Sequence, residues 1–238
     1  MLGKGQFITF EGGEGAGKST QIKRLAERLE ADNHLVMVTR EPGGSTGAEI
    51  LRHVLLSGAA KPFGPKAEVL LFSAARLDHM QQKIIPALEA GKIVLCDRFY
   101  DSTRAYQGAE GILDEELWEE LKSITVGDHE PDLTFVLDLP AEIGLERITK
   151  RAEDAQSETG DNDAPVIDRF EEDNLETHVK RRILFLQIAR EEADRCVVID
   201  ATKGADEISD EIWAVVKEKI PILKNADEHQ DNDVEAAG

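Results

Sequence analysis

Gly12-Gly13-Glu14-Gly15-Ala16-Gly17-Lys18-Ser19 fits the pattern G-x-x-x-x-G-K-[ST] in full, and its flanks give the pattern meaning. Gln6 to Phe10 before it is a short apolar, β-prone run. After it, Ile22, Leu25, Ala26 and Leu29 recur at helical spacing. Strand, glycine-rich turn and helix start are what a phosphate cradle requires. The glycines let successive backbone N–H groups turn onto phosphate oxygens, and the new helix points its positive dipole end at the same place. On this reading Gly12 through Thr20 hold a nucleoside triphosphate. Lys18 reaches the β- and γ-phosphates, and the Ser19 hydroxyl ligates Mg²⁺.

The alternation continues outward from the loop. Leu35 to Thr39, Ile93 to Cys96, Leu133 to Leu139 and Cys196 to Ile199 read as further strands. Ala48 to Leu56, Ala67 to Leu88, Glu115 to Thr125, Ala141 to Arg151, Asn174 to Ala193 and Ala205 to Lys219 read as helices. Apolar strands alternating with helices predict an α/β fold of the P-loop NTPase type: a five-stranded parallel sheet covered on both faces. No repeat or linker divides it. Ligands of such sheets bind beyond the carboxyl ends of the strands. There the chain places Glu11, Arg40-Glu41-Pro42-Gly43-Gly44, Asp97-Arg98, Asp138 and Asp200. Asp97, ending a buried strand beside a phosphate loop, is the favoured Mg²⁺-organising acid. Asp138 is its rival, with a charge near the N-terminus of the next helix as the blander reading.

The 238 residues carry a formal net charge of -20, which argues against a nucleic-acid polymer as partner, because phosphate backbones need a basic footprint. Ten acids lie in two stretches free of Lys and Arg. Glu153, Asp154, Glu158, Asp161 and Asp163 form one; Asp227, Glu228, Asp231, Asp233 and Glu235 form the other. Residues 225–238 read as a disordered, solubilising tail. No apolar run approaches the ~20 residues of a membrane span, and no signal-peptide stretch opens the chain, so a cytoplasmic protein is expected. Cys96 and Cys196 sit at apolar runs and read as reduced, buried side chains. The six histidines show no metal-ligand spacing.

The ordered set GGEGAGKS, REPGGS from Arg40, Phe72 and Arg76 in LLFSAAR, and DRFYDSTRAYQG from Asp97 to Gly108 resembles bacterial thymidylate kinases from about Gln6 to about Lys217. The resemblance implies one nucleoside monophosphate kinase domain over residues 1–224, with a mobile lid at about 147–170. It implies transfer of the γ-phosphate of ATP to dTMP, with Mg²⁺, in a homodimer. Lys18 would stabilise the phosphoryl group in flight, and Ser19 with Asp97 would organise Mg²⁺. Phe72 would stack on thymine and Arg76 would hydrogen-bond its edge. Arg98, with Arg40, would bind the dTMP phosphate, and Glu11 would lie near the sugar or that phosphate. Thr103, Tyr106 and Gln107 would line the base and sugar pocket, with Tyr106 disfavouring a 2′-hydroxyl.

Bland alternatives stand beside these roles. Phe72 follows Val69-Leu70-Leu71, where an aromatic usually packs in a core. Its spacing to Arg76 nevertheless places a plate and a guanidinium on one helical face. Arg98 could be a structural ion pair with Asp97, and Tyr106 a buried tyrosine. Phosphoryl transfer depends on positioning and charge neutralisation, and the variable loop positions Gly13, Glu14, Gly15 and Ala16 supply no cation. The resemblance then places the missing charge in the lid, among Arg147, Lys150, Arg151 and Arg169, with Arg151 and Arg169 favoured. The acidic stretch after Ala152 departs from the family pattern and is expected to loop outward. Rival readings are another small-metabolite P-loop kinase or a nucleotide-dependent switch protein; the N-K-x-D motif of a guanine-reading switch is absent.

Overall fold

The computed structural model describes residues 5–109, 111, 115–159, 170 and 173–220, the side chains of 155–159 excepted. In chain order these form β1 (Gln6–Gly12), α1 (Lys18–Ala31), β2 (Val36–Arg40), α2 (Thr46–Leu56), a 3₁₀ turn (Lys61–Phe63) and α3 (Pro65–His79). A π-helical turn (Met80–Ile84) follows, then α4 (Ile85–Glu89), β3 (Ile93–Asp97), α5 (Tyr100–Ala109) and α6 (Glu115–Thr125). The remainder is β4 (Leu133–Asp138), α7 (Ala141–Thr159), α8 (Leu175–Glu191), β5 (Cys196–Asp200) and α9 (Ala205–Lys219). The five strands pair in the order β2-β3-β1-β4-β5, every pairing parallel. This is the α/β architecture that the apolar runs predict.

Strand parity decides which helix each residue meets. Ile8 and Phe10 of β1, with Leu95, Phe135 and Ile199, pack on Ile22, Leu25 and Leu29 of α1 and Ile208, Ile212 and Val216 of α9. The opposite parity carries Phe7 toward Met80, Ile84, Phe99 and Tyr100. It also carries Val136 toward Tyr106, Phe185 and Ile188, on α5 and α8. Fully burying one such side chain contributes about 1.5–3 kcal/mol, so the two faces together supply the main cohesion.

The sequence reading departs from the structure in three elements. The helix expected over 67–88 is interrupted by the π-helical turn. Pro86 follows it; proline has no N–H and clashes with the carbonyl four residues back, and a widened turn relieves both. The motif residues Tyr100–Ala109, to which the sequence pattern assigns no element, form helix α5. Its start is held from a distance: the Glu11 carboxylate accepts from the backbone N–H groups of Phe99 at 2.7 Å and Ser102 at 3.3 Å. Finally, α7 runs on to Thr159 instead of ending at Arg151. Its exposed Glu153 and Asp154 line an outer groove with Lys150, and at Glu153, Asp154 and Glu158 the acidic stretch is helix and not loop. Residues 160–169 and 221–238, with the rest of the expected lid and the whole acidic tail, lie outside the described residues.

Candidate active site

The loop folds as its glycines require. Gly12 (φ 129°), Gly15 (φ 68°) and Gly17 (φ 91°) all occupy the left-handed side of backbone space. A Cβ at Gly12 would also stand 2.5 Å from the Leu137 carbonyl oxygen. Lys18 opens α1 and arches back, donating Nζ to the carbonyls of Gly12 at 3.2 Å and Gly13 at 2.9 Å. Burial lowers its pKa, with Arg98 next in effect, while Glu14, Asp97 and Glu11 oppose the shift. Ser19, one residue on, donates Oγ to Asp97 Oδ2 at 2.6 Å. The parity of β3 sends Leu95 and Asp97 to the α1 side, which is why these two meet.

Two cavities share the wall formed by Glu14, Ser19, Asp97 and Arg98. One follows the loop, lined by Glu14 to Gln21 with Arg147, Arg151, Lys203 and Ala205. The other lies between α2, α3 and α5. It brings together Arg40, Phe72, Arg76, Arg98, Thr103, Tyr106 and Gln107. Arg147 and Arg151 stand four apart on α7 and so face the loop cavity together, whereas Lys150 turns to the outer groove. Arg169 lies outside the described residues.

Arg98 is the hinge between the cavities. Its backbone takes φ 65°, a strained value for a residue with a side chain, and its guanidinium turns back to the loop. Nη1 donates to the Gly12 carbonyl at 3.1 Å and to Ser102 Oγ at 3.2 Å, and Nη2 donates to Glu14 Oε1 at 2.7 Å. Its ion-pair partner is therefore Glu14 and not Asp97, as the bland reading supposed. Glu14 also accepts from the Tyr106 hydroxyl. Burial alone would raise the Glu14 pKa, but Arg98, Lys18 and Tyr106 together hold it at about 2. A side chain placed by sequence with the triphosphate thus organises the second cavity as well.

In that second cavity Phe72 is half-buried, its ring centroid 6.1 Å from that of Phe170. Arg76, four residues on, is buried: Nε donates to Glu41 Oε2 at 2.8 Å and Nη2 to Thr103 Oγ1 at 3.0 Å. Glu41 also meets His79 Nδ1 at 3.1 Å, and His79 Nε2 lies 2.7 Å from Thr39 Oγ1. Tyr106 and Gln107 are buried in the wall. Arg40 stays exposed at the rim, donating to Glu49 at 3.1 and 3.3 Å.

Gly12, Gly13 and Glu11 line neither cavity. Gly12 and Gly13 serve through their carbonyls. Glu11 sits one parity step from Phe10, facing α5, and is fully buried. Besides the α5 N–H groups it accepts from Ser102 Oγ at 2.6 Å, so its carboxylate sets α5 rather than meeting a sugar. Burial, with Asp101 adding to it, pushes its pKa up to about 8. Asp138 has the same parity and meets α8, accepting from Arg182 at 2.6 and 2.9 Å. Glu41, Pro42, Arg52, Leu56, Phe99, Ser102 and Phe170 were missed as lining residues. Glu41 and Pro42 had a signal in the run just past β2, and Phe99 and Ser102 in the motif from Asp97 to Gly108; Arg52, Leu56 and Phe170 come from the tertiary arrangement.

Among the described residues no group of three or more His, Cys, Asp or Glu could hold a metal ion. Cys96 and Cys196 are buried and free of disulfide. No described helix is long and apolar enough to cross a membrane.

A model of the family described as thymidylate kinase matches residues 10–212. A thymidylate kinase from Bradyrhizobium sp. (strain ORS 278) is 51% identical over 218 residues, 92% of this chain and 92% of that protein. Another, from Rhodopseudomonas palustris (strain ATCC BAA-98 / CGA009), is 53% identical over 215 residues, 90% of this chain and 89% of the other. The crystal structure of thymidylate kinase from Ehrlichia chaffeensis superposes with a TM-score of 0.68 at 32% identity, covering 90% of this chain and 99% of that one.

Proposed function

The chain belongs to the thymidylate kinase family, and from that premise we propose that the loop cavity holds ATP while the cavity between α2, α3 and α5 holds dTMP. The reaction is the ATP-dependent phosphorylation of dTMP to dTDP. The observation that supports the residue assignment is the shared wall of Glu14, Ser19, Asp97 and Arg98, across which a donor phosphate bound on one side would meet an acceptor phosphate bound on the other. In-line phosphoryl transfer needs that adjacency together with cations that neutralise developing charge.

Each residue then has a physical task. The Gly12–Thr20 backbone and Lys18 hold the donor phosphates. Arg98 binds the dTMP phosphate across the wall, with Arg40 entering from the rim. Phe72 stacks on thymine. Arg76, its Nε and Nη2 fixed by Glu41 and Thr103, directs its remaining nitrogen at the base edge. Tyr106 and Gln107 close the sugar side. Arg151, on the loop-facing side of α7, supplies the cation that the loop lacks, with Arg169 as its partner from the lid. Ser19 and Asp97, a hydroxyl and a carboxylate 2.6 Å apart at the shared wall, are hard oxygen donors suited to Mg²⁺, which keeps most of its shell as water and phosphate oxygen. Held there by Ser19 and Asp97, Mg²⁺ would supply positive charge that offsets the donor phosphates.

A homodimer is supported by exposed Leu70 on α3 and Ile124 on α6. The test is a coupled assay with ATP and a panel of dTMP, dUMP, dCMP, dGMP and AMP. Preference for dTMP is expected; turnover of dCMP, dGMP or AMP as fast as that of dTMP overturns the assignment.

A further inference from the structure

The first turn of α7 lies directly on the phosphate loop. A Cβ at Gly144 would fall inside the van der Waals envelope of the Glu14 carbonyl oxygen. A Cβ at Gly15 would stand 2.9 Å from Gly144 Cα and closer still to its carbonyl oxygen. Two backbones therefore meet with no side chain between them. Gly144 sits inside a helix, where glycine is a poor choice on propensity, and this contact supplies the physical reason for it. Arg147, one turn on, ties the same helix face down: Nη1 donates to the Gly15 carbonyl at 3.3 Å and Nη2 to the Ala201 carbonyl at 3.4 Å.

The Glu14–Gly15 peptide under this contact serves both cavities. Its backbone shapes the curve of the phosphate loop, and the Glu14 side chain holds Arg98 and Tyr106. We propose that Gly144 is a positioning residue for phosphoryl transfer: α7 braces the Glu14–Gly15 peptide and so keeps the donor cradle and the acceptor-binding Arg98 in register. The inference rests on the reading of Gly12–Thr20 as the ATP cradle. Adding one methyl group at Gly144 forces the loop or the helix to shift by pressing on the Glu14 carbonyl, while leaving every side chain assigned to a substrate in place.

The test is Gly144→Ala, followed by steady-state kinetics, thermal denaturation and hydrogen exchange of the ligand-free protein. The expected result is a fall in kcat together with a rise in KM for both ATP and dTMP of roughly tenfold or more, since a displacement of about 1 Å can cost a hundredfold. Faster exchange at the amides from Gly15 to Ser19 should accompany it in a protein that still melts cooperatively. Unchanged kinetics and exchange in the folded variant overturn the proposal, as does activity lost only in proportion to unfolded protein. Should Gly144→Ala not fold, Arg147→Ala is read by exchange alone. Faster loop exchange without nucleotide supports the brace. Unchanged exchange overturns it, because a residue that merely meets nucleotide leaves the ligand-free loop as it was. Lys18→Met separates the two readings. If it abolishes turnover while Gly144→Ala does not, the brace fails and the cradle stands; if it leaves turnover intact, the cradle reading fails and the brace with it.

Discussion

At the residue scale the site is decided by which polar groups are turned inward and what they meet there. Arg98 bridges loop and acceptor cavity, with its guanidinium on the Gly12 carbonyl, Ser102 and Glu14. On the proposed assignment, a charge-assisted bond from it to the dTMP phosphate would be worth roughly 1.5–3 kcal/mol. Arg98→Ala should therefore raise KM for dTMP about ten- to a hundredfold and KM for ATP much less; equal rises in steady-state assays would remove the assignment. Glu11 is the second case. Its carboxyl titrates near pH 8 when folded, against an ordinary 4.5, because burial penalises its charge and Asp101 adds to the penalty. The folded state thus holds a proton more tightly than the unfolded chain. The associated stability is fully present below pH 4.5 and is lost as pH rises through about 8, at up to about 1.4 kcal/mol per pH unit between those limits. Glu11→Gln preserves the shape and removes the titration. Urea midpoints at pH 6 and pH 9 should show the wild-type protein losing ground to the variant; parallel midpoints would mean that Glu11 is ionised throughout.

At the element scale α5 is the part on which the acceptor cavity depends, since it carries Ser102, Thr103, Tyr106 and Gln107. It is fixed by Glu11 at its start and by buried Asp101, which accepts both forks of Arg195 at 2.8 and 2.9 Å. Arg195 in turn donates to Thr134 Oγ1 at 2.8 Å, tying the helix to β4. Removing one partner leaves an uncompensated buried charge. Asp101→Ala should destabilise the protein by roughly 3–5 kcal/mol in a denaturant titration, and replacing Asp101 and Arg195 together by apolar residues should recover part of the loss. A single-variant cost below 1 kcal/mol, as exposed pairs show, would mean that the pair is solvated. This element also marks where the sequence ceases to be legible. The central strands announce themselves as apolar runs because both faces are covered, and α1 by its spacing. The start of α5 is stabilised by a carboxylate 88 residues away, and local pattern carries no trace of that.

At the scale of the whole molecule, strand order and strand parity turn a linear motif list into two facing cavities. Arg76, Arg98, Tyr106 and Gln107 were legible as a group because their types and order match a family. Their partners Glu41, Ser102 and Glu14 were not legible in those roles, because parity and crossing helices decide which side chains meet. The remaining face points outward. Ile50 of α2 is 64% exposed, Leu70 of α3 54% and Ile124 of α6 66%, and α2 and α6 both adjoin α3. Apolar side chains scattered singly are ordinary, whereas exposed ones on adjoining helices are candidates for a subunit contact. On the proposed homodimer, a second copy of the same surface would cover them with two-fold symmetry, each residue meeting its own counterpart region. Light scattering should then give twice the 26.3 kDa of the chain. The double variant Leu70→Glu with Ile124→Glu places like charges across that axis and should return the monomer while leaving the melting transition cooperative. A dimer that survives both charges would place the interface on another face. A wild-type protein that scatters as a single chain would mean that these side chains stay in water and that the site is complete within one protomer.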